Sequence, residues 1–422
     1  MKILWIVNST LGPLGEKLYN ARSNGLWMGA LLESFRNRTD YCLSVATTAP
    51  VNDTLIIEED GIIFYALPDT SPILYDENKP TNIAAWKSLL SDEKFDLIQV
   101  WGTEFSHGLC ALRIADAIGI PSVIYMQGYL GSIARYYLAG MTYAELKRTV
   151  TLRDRLKRDS IFQQQQKYKA SSEKEKEMLQ LSKRIISENE WCNKSIQAII
   201  PGVEIYSCPL SVNTVFKEKE WSIVKCEPHS LICTASGYPL KGLHMVLQAV
   251  ALLKQQYEDI KLYVPGTKMV SDGSLQWTLR KRGYTKYIEQ LIAELNIEQQ
   301  IVWLGNISQD KLAEQYAKTR AFVLSSSIEN HSSSLKEAMM VGVPSVASAV
   351  GGVPEYVIHG TNAFLYRFEE YEIMAGYIRE IFEDNALACR LSRNARDGML
   401  KLHRENDIYE RIKRIYCEIV EE

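Results

Sequence analysis

AFVLSSSIENHSSSLKEAMMVGVPSVASAVGGVPE occupies residues 321–355. Its first four residues read as a buried strand, a polar loop follows, and from Ser334 onward Leu335, Ala338 and Met339 recur with helical spacing. Gly342 stops that helix, and SVASAV (345–350) reads as the next strand. Strand, loop, helix and strand in this order build a parallel sheet. The same alternation extends outward in both directions. LICTAS (231–236), KLYVPG (261–266) and IVWLG (301–305) precede the segment, and an N-terminal set consists of KILWIV (2–7), IIFYAL (62–67), DLIQVW (96–101) and SVIYM (122–126). The pattern pauses between Pro201 and Trp221, so the sequence predicts two doubly wound, Rossmann-like α/β domains, 1–210 and 211–404. Open parallel sheets bind ligands beyond the carboxyl ends of their strands, and two such domains facing one another would leave a cleft.

Composition narrows the function. The chain has 422 residues, 46% hydrophobic and 23% charged, with a formal net charge of −3. That balance excludes a surface built to neutralise nucleic acid. Eight scattered cysteines lack zinc spacing and suit free thiols in a reducing compartment. No apolar run is long enough to span a bilayer, and the N-terminal one is too short for a signal-peptide core, so a cytoplasmic location is expected. One stretch departs from the alternation. Residues 133–170 carry nine Lys or Arg against three acids, and SIARYYLAGM within it places Ile133, Tyr136, Tyr137 and Met141 on one helical face. Such a helix can lie on an anionic membrane at the inner face of the cell, or pack its apolar face into the first domain.

The loop of the opening segment holds the candidate chemistry. Ser332, Ser333 and Ser334 offer hydroxyls and free N–H groups at a helix N-terminus, which attracts anions such as diphosphate. Glu337 admits two readings. With Ser334 it has capping-box spacing, and as a carboxylate with two acceptor oxygens it suits a vicinal diol such as ribose. Glu329 stands in the loop, where it is either solvated or turned towards ligand hydroxyls. Lys241, in SGYPLKGL (236–243) after LICTA, can join the helix end in neutralising phosphate.

Glu329 and Glu337 eight residues apart, EAMMVGVPSVAS, the Gly351-Gly352-Val-Pro-Glu355 turn and the Lys241-Gly242 loop together resemble family 4 of the glycosyltransferases. That resemblance implies the GT-B fold, a nucleotide-sugar donor such as a UDP- or GDP-sugar, and transfer with retention. It implies that Lys241 holds the donor diphosphate, that Glu329 lies near the transferred sugar and that Glu337 grips the ribose. Asn330, His331, Ser332, Ser333, Ser334 and Leu335 would line the donor site. Gly25 is similar to the glycine after the first strand that lets donor and acceptor approach. Ser236 stands where many members carry a second basic residue, Asn330 replaces a common glycine, and Gln127 occupies a place often held by histidine.

In the first domain Glu104 and His107 follow DLIQVW, and with Gln127 they are the acceptor-side candidates, His107 also as a catalytic base. A hexose-type sugar would pass to a glycan or lipid-linked acceptor, as in surface polysaccharide synthesis. Asp-x-Asp is absent, so neither metal nor any other cofactor is expected. The enzymatic rivals are a nucleotide-sugar epimerase and a phosphorylase on the same fold, and the non-catalytic rival is a sugar-binding protein. The resemblance also implies that a C-terminal helix near 405–422 packs back on the first domain.

Overall fold

The computed structural model describes residues 1–421 except 22–27, 39, 71, 211, 272 and 405–407. Gly25 therefore lies outside the described residues. The chain divides into two compact units. One comprises 1–130, 169–211 and 406–422, and the other 131–168 and 212–405. The division differs from the expected boundary at 210 in one respect: residues 131–168 group with the second unit.

The first unit is built on an eight-stranded sheet of order β3-β4-β2-β1-β5-β6-β7-β8. Its strands are β1 (Lys2–Ile6), β2 (Cys42–Ala49), β3 (Leu55–Glu59), β4 (Ile62–Pro68), β5 (Leu97–Trp101), β6 (Ser122–Tyr125), β7 (Arg184–Ser187) and β8 (Glu204–Ser207). All neighbours run parallel except β3 and β4. Side chains alternate across a strand, so a sheet covered on both faces needs apolar residues at successive positions. β1 shows this: Ile3 and Trp5 enter one core, Leu4 and Ile6 the other. Helix Ile408–Glu421 closes the first of these cores with Tyr409, Ile412, Ile415, Tyr416 and Ile419. Its Tyr416 hydroxyl accepts from Trp5 Nε1 at 2.9 Å and donates to Gln99 Oε1 at 2.7 Å.

The second unit holds six parallel strands in the order β11-β10-β9-β12-β13-β14. They are β9 (Glu227–Ile232), β10 (Lys261–Pro265), β11 (Ile301–Gly305), β12 (Thr319–Leu324), β13 (Ser345–Ser348) and β14 (Phe364–Tyr366). Counted from β9, the order is 3-2-1-4-5-6, the doubly wound arrangement in which the connections leave β9 and β12 towards opposite faces. The crevice opened by that divergence lies beyond the ends of β9 and β12. In the first unit the corresponding point lies beyond β1 and β5.

Residues 131–160 hold short helices on the second unit, and residues 161–168 begin the 22-residue helix Ile161–Ser182. Ala134 accepts from Gln165 Nε2, Ala139 from His244 Nε2, and Arg148 from Lys286 Nζ, all through backbone carbonyls at 2.8–2.9 Å. Tyr137 and Met141 are buried there, Ile133 is half-buried and Tyr136 is exposed, so the apolar face of SIARYYLAGM is only partly used in packing.

Candidate functional site

In the second unit the loops beyond β9 and β12 are stitched together. The carbonyl of Leu240 accepts from Ser327 N–H at 2.8 Å, and that of Lys241 from Ser325 Oγ at 2.9 Å. Gly242 adopts φ +69°, and a Cβ there would meet the Ser325 carbonyl oxygen at 1.8 Å, so only glycine permits this approach. A third loop supports the pair. Gly351, at φ +52°, lies so close to the Glu329 carbonyl that a Cβ would meet it at 1.7 Å, and Gly352 N–H donates to the same oxygen at 3.3 Å.

These constraints bring the two predicted residues into contact. Lys241 Nζ donates to Glu329 Oε1 at 2.6 Å, and Ser326 Oγ donates to the same oxygen at 2.6 Å. Burial works against the Lys241 ammonium, but the Glu329 carboxylate outweighs it and holds the lysine above its ordinary range. The Lys241 side chain is still 29% exposed. An ammonium has three donors and one is committed to Glu329, so the others can reach an anion beside it.

The adjacent helix spans Ser333–Val341 with Ser332 as its N-cap, whose hydroxyl accepts from Leu335 N–H at 3.4 Å. The expected Ser334–Glu337 capping box is thus not formed. Because the helix starts earlier, its third position is Leu335, which has no carboxylate to close a box, and Glu337 falls in the second turn. Glu337 is half-buried, and burial raises its carboxyl to about 8, with only a small opposing pull from Lys336. Its two oxygens are available for hydroxyls. His331 is engaged locally: its Nδ1 accepts from Lys336 Nζ at 3.2 Å and its ring meets Tyr356 edge-on. Asn330 is buried. Ser236 donates its hydroxyl to the Pro265 carbonyl at 3.1 Å, which leaves it no proton for phosphate and makes it a loop support. A cavity of about 190 Å³ adjoins the Lys241 loop, walled by Tyr137, Tyr168, Tyr238 and Arg282.

The first unit gathers a different set. Asn8 Nδ2, beyond β1, donates to the Trp101 carbonyl at 3.1 Å and to Glu104 Oε2 at 3.2 Å. Gly102 takes φ +81°, and a Cβ there would meet Glu104 Oε2 at 2.1 Å and Gln127 Cδ at 3.2 Å, so both side chains close over it. Burial raises the Glu104 carboxyl, opposed by hydrogen bonds that include the one from Asn8. His107 does not join this group. Its Nε2 donates to the Val7 carbonyl at 3.0 Å, it has no exposed surface, and burial pushes it down to about 4. It sits near Tyr75 and Trp86 as a neutral internal support, so the expected acceptor contact and base role are not what this ring is placed to do.

Residues 217–398 match the family model described as Glycosyl transferases group 1. That stretch is similar to the domain of this family. Curated relatives include the N-acetyl-alpha-D-glucosaminyl L-malate synthase of Bacillus anthracis, 29% identical over 203 residues, 48% of this chain and 49% of that protein. A D-inositol 3-phosphate glycosyltransferase of Streptomyces avermitilis is 28% identical over 159 residues, 37% of this chain and 33% of that protein. The chain thus spans half or less of these relatives' length. Solved structures match over nearly all of it. A sucrose-phosphate synthase from Thermosynechococcus elongatus gives a TM-score of 0.72 at 17% identity, covering 99% of both chains. Anabaena HepE in complex with UDP and glucose gives 0.66 at 16%, covering 98% of both. The fold is GT-B, two parallel-sheet α/β domains.

In the group 1 domain, the sequence brought forward Lys241, Glu329 and Glu337 but not Ser326, which shares Glu329 Oε1, nor Lys336, a buried cation one position from Glu337. Outside it, Asn8 and Glu175 were also missed. Glu175 is fully buried and accepts from Thr103 Oγ1 at 2.7 Å and from Leu130 N–H, fixing the loops beyond β5 and β6. Among the described residues no cluster of His, Cys, Asp or Glu is arranged to hold a metal ion, and no helix is long and apolar enough to cross a membrane.

Proposed function

We propose that the chain is a glycosyltransferase that moves a hexose-type sugar from a UDP- or GDP-sugar, with retention and without a metal ion, to a glycan or lipid-linked acceptor in surface polysaccharide synthesis. The observation that carries this is the Lys241–Glu329 pair at the switch point of the second sheet, beside the N-terminus of helix Ser333–Val341. When a sugar–diphosphate bond breaks, charge accumulates on the departing diphosphate. Donors that grip it more strongly as charge grows lower the barrier. Lys241 and the N–H groups at the helix end supply those donors without solvent reorganisation. Glu329 holds Lys241 in place and offers its second oxygen to sugar hydroxyls, while Glu337 takes the ribose diol. In the other unit Glu104 and Gln127, steadied by Asn8, receive the acceptor. The structures of relatives that hold UDP and glucose support a nucleotide-sugar donor.

The test is a thermal-shift series with UDP, GDP and ADP, each with magnesium and with chelator. A ligand at 100 times its dissociation constant stabilises by about 2.7 kcal/mol. A shift with UDP or GDP that survives chelation and disappears in Lys241→Ala is expected. No shift with any nucleotide diphosphate, or one unaffected by Lys241→Ala, would count against the assignment. Release of nucleotide from a UDP- or GDP-sugar only when acceptor is added separates transfer from epimerisation, and independence of added phosphate separates it from phosphorolysis.

A further inference from the structure

Two short helices of the second unit are turned inside out. In Leu152–Lys157 the acidic residue faces inward: Asp154 is fully buried and bonds the Thr151 N–H at 3.1 Å. Leu152 and Leu156, four positions apart, are 65% and 77% exposed. In Leu275–Arg280 the indole of Trp277 turns inward to Glu289 Oε1 at 3.0 Å, while Leu275 and Leu279 are 80% and 61% exposed. The two helices pack against one another, and Thr151 Oγ1 donates to the Lys281 carbonyl at 3.0 Å. Single exposed leucines are ordinary on a soluble surface, whereas two i, i+4 pairs on touching helices form a patch.

Around this patch stand Arg155, Lys157, Arg158 and Arg280, all exposed. None has an ion-pair partner among the described residues, in contrast to Arg153, which is paired with Asp159 at 3.2 Å. We infer that this face docks on the surface of an anionic phospholipid bilayer, the leucines entering the headgroup boundary and the basic rim meeting lipid phosphates. An amphipathic surface binds such a membrane through buried apolar area together with attraction to anionic lipid. A second copy of this chain seated on the patch would oppose two rings of like charge, whereas anionic lipid complements it. The contact joins part of the basic stretch 133–170 to a second segment more than a hundred positions away, and it does not use the helix SIARYYLAGM. It does not depend on the transferase reading.

The experiment is vesicle sedimentation of the full chain at low salt, with phosphatidylcholine vesicles that contain or lack phosphatidylglycerol. The unaltered protein is expected to bind the anionic vesicles and not the neutral ones. Replacing Arg155, Lys157, Arg158 and Arg280 by Gln should weaken binding at least about tenfold. Replacing Lys17, Lys87, Lys94 and Lys183, exposed lysines of the other unit, should change it far less. Leu152→Ser with Leu156→Ser, Leu275→Ser and Leu279→Ser should remove the part of the binding that resists added salt. Absence of binding by the unaltered protein overturns the inference. Equal loss in both charge sets overturns it as well, as does a dimer that the leucine replacements dissociate.

Discussion

The two sheets meet their switch points with opposite chemistry. Beyond β9 and β12 a lysine and a glutamate form a close ion pair, flanked by a helix N-terminus. Beyond β1 and β5 an asparagine amide steadies a glutamate that burial makes harder to ionise, with Gln127 beside it. One crevice carries a fixed cation whose counter-ion is a side chain, suited to an anionic guest that competes for the same ammonium. The other presents, among the described residues, amide and carboxyl groups, which suit a neutral polyol. Under the proposed function, the same sheet geometry would serve two kinds of ligand through what stands at the strand ends.

The sharpest way to break this comparison is Lys241→Ala. It should lower turnover at least about tenfold, since about 1.4 kcal/mol of lost transition-state stabilisation is enough, and should abolish nucleotide-diphosphate binding in calorimetry. Glu104→Gln should leave that binding unchanged while raising the KM for acceptor. Equal effects of both variants on nucleotide affinity would erase the distinction between the crevices.

Next in size is Gly351→Ala. An alanine at φ +52° is strained, and its Cβ would strike the Glu329 carbonyl. Such a position costs about 1–3 kcal/mol, to be read from denaturant unfolding. The displaced Glu329 backbone should also lower turnover although residue 351 need not touch substrate. Normal turnover in a destabilised variant would show that Glu329 does not need this support.

Glu337 sharpens the comparison on the ribose side. Its carboxyl has an ordinary value of 4.5 and is raised to about 8 in the folded chain. A raised carboxyl binds protons more tightly in the native state, so its contribution is complete below about 4.5 and fades as pH rises to about 8. Because the group is half-buried, the loss across that window should be about 1 kcal/mol, below the full value of the shift. Glu337→Gln should therefore be more stable than the parent at pH 8 without ligand, and should bind a nucleotide and its 2′-deoxy form with nearly equal affinity. An unchanged stability profile would mean that Glu337 is solvated.

Much of this was legible in the sequence because glycines and serines mark where strands end, and the loops at 236–242 and 325–334 are rich in them. β2 escaped notice since CLSVATTA reads as polar, yet Ser44, Thr47 and Thr48 are buried in the sheet. His107 misled and Glu175 was missed for a related reason. Both lie in helices whose inward faces are decided by distant strands and loops, and a polar residue on a helix carries no local sign of which way it faces. Lys336 belongs with them. The capping-box reading of Ser334 failed because three successive serines give equivalent signals and the helix begins earlier, with Ser332 as its cap.

Helix Ile408–Glu421 has a consequence for how the molecule is made. Trp5 in β1 waits for Tyr416, more than four hundred positions later, to complete its hydrogen bond. A ribosome must therefore translate the whole group 1 domain before the earlier lobe can close its core. Nascent chains stalled near residue 400 should hold an ordered second unit and an N-terminal half that proteases still cut.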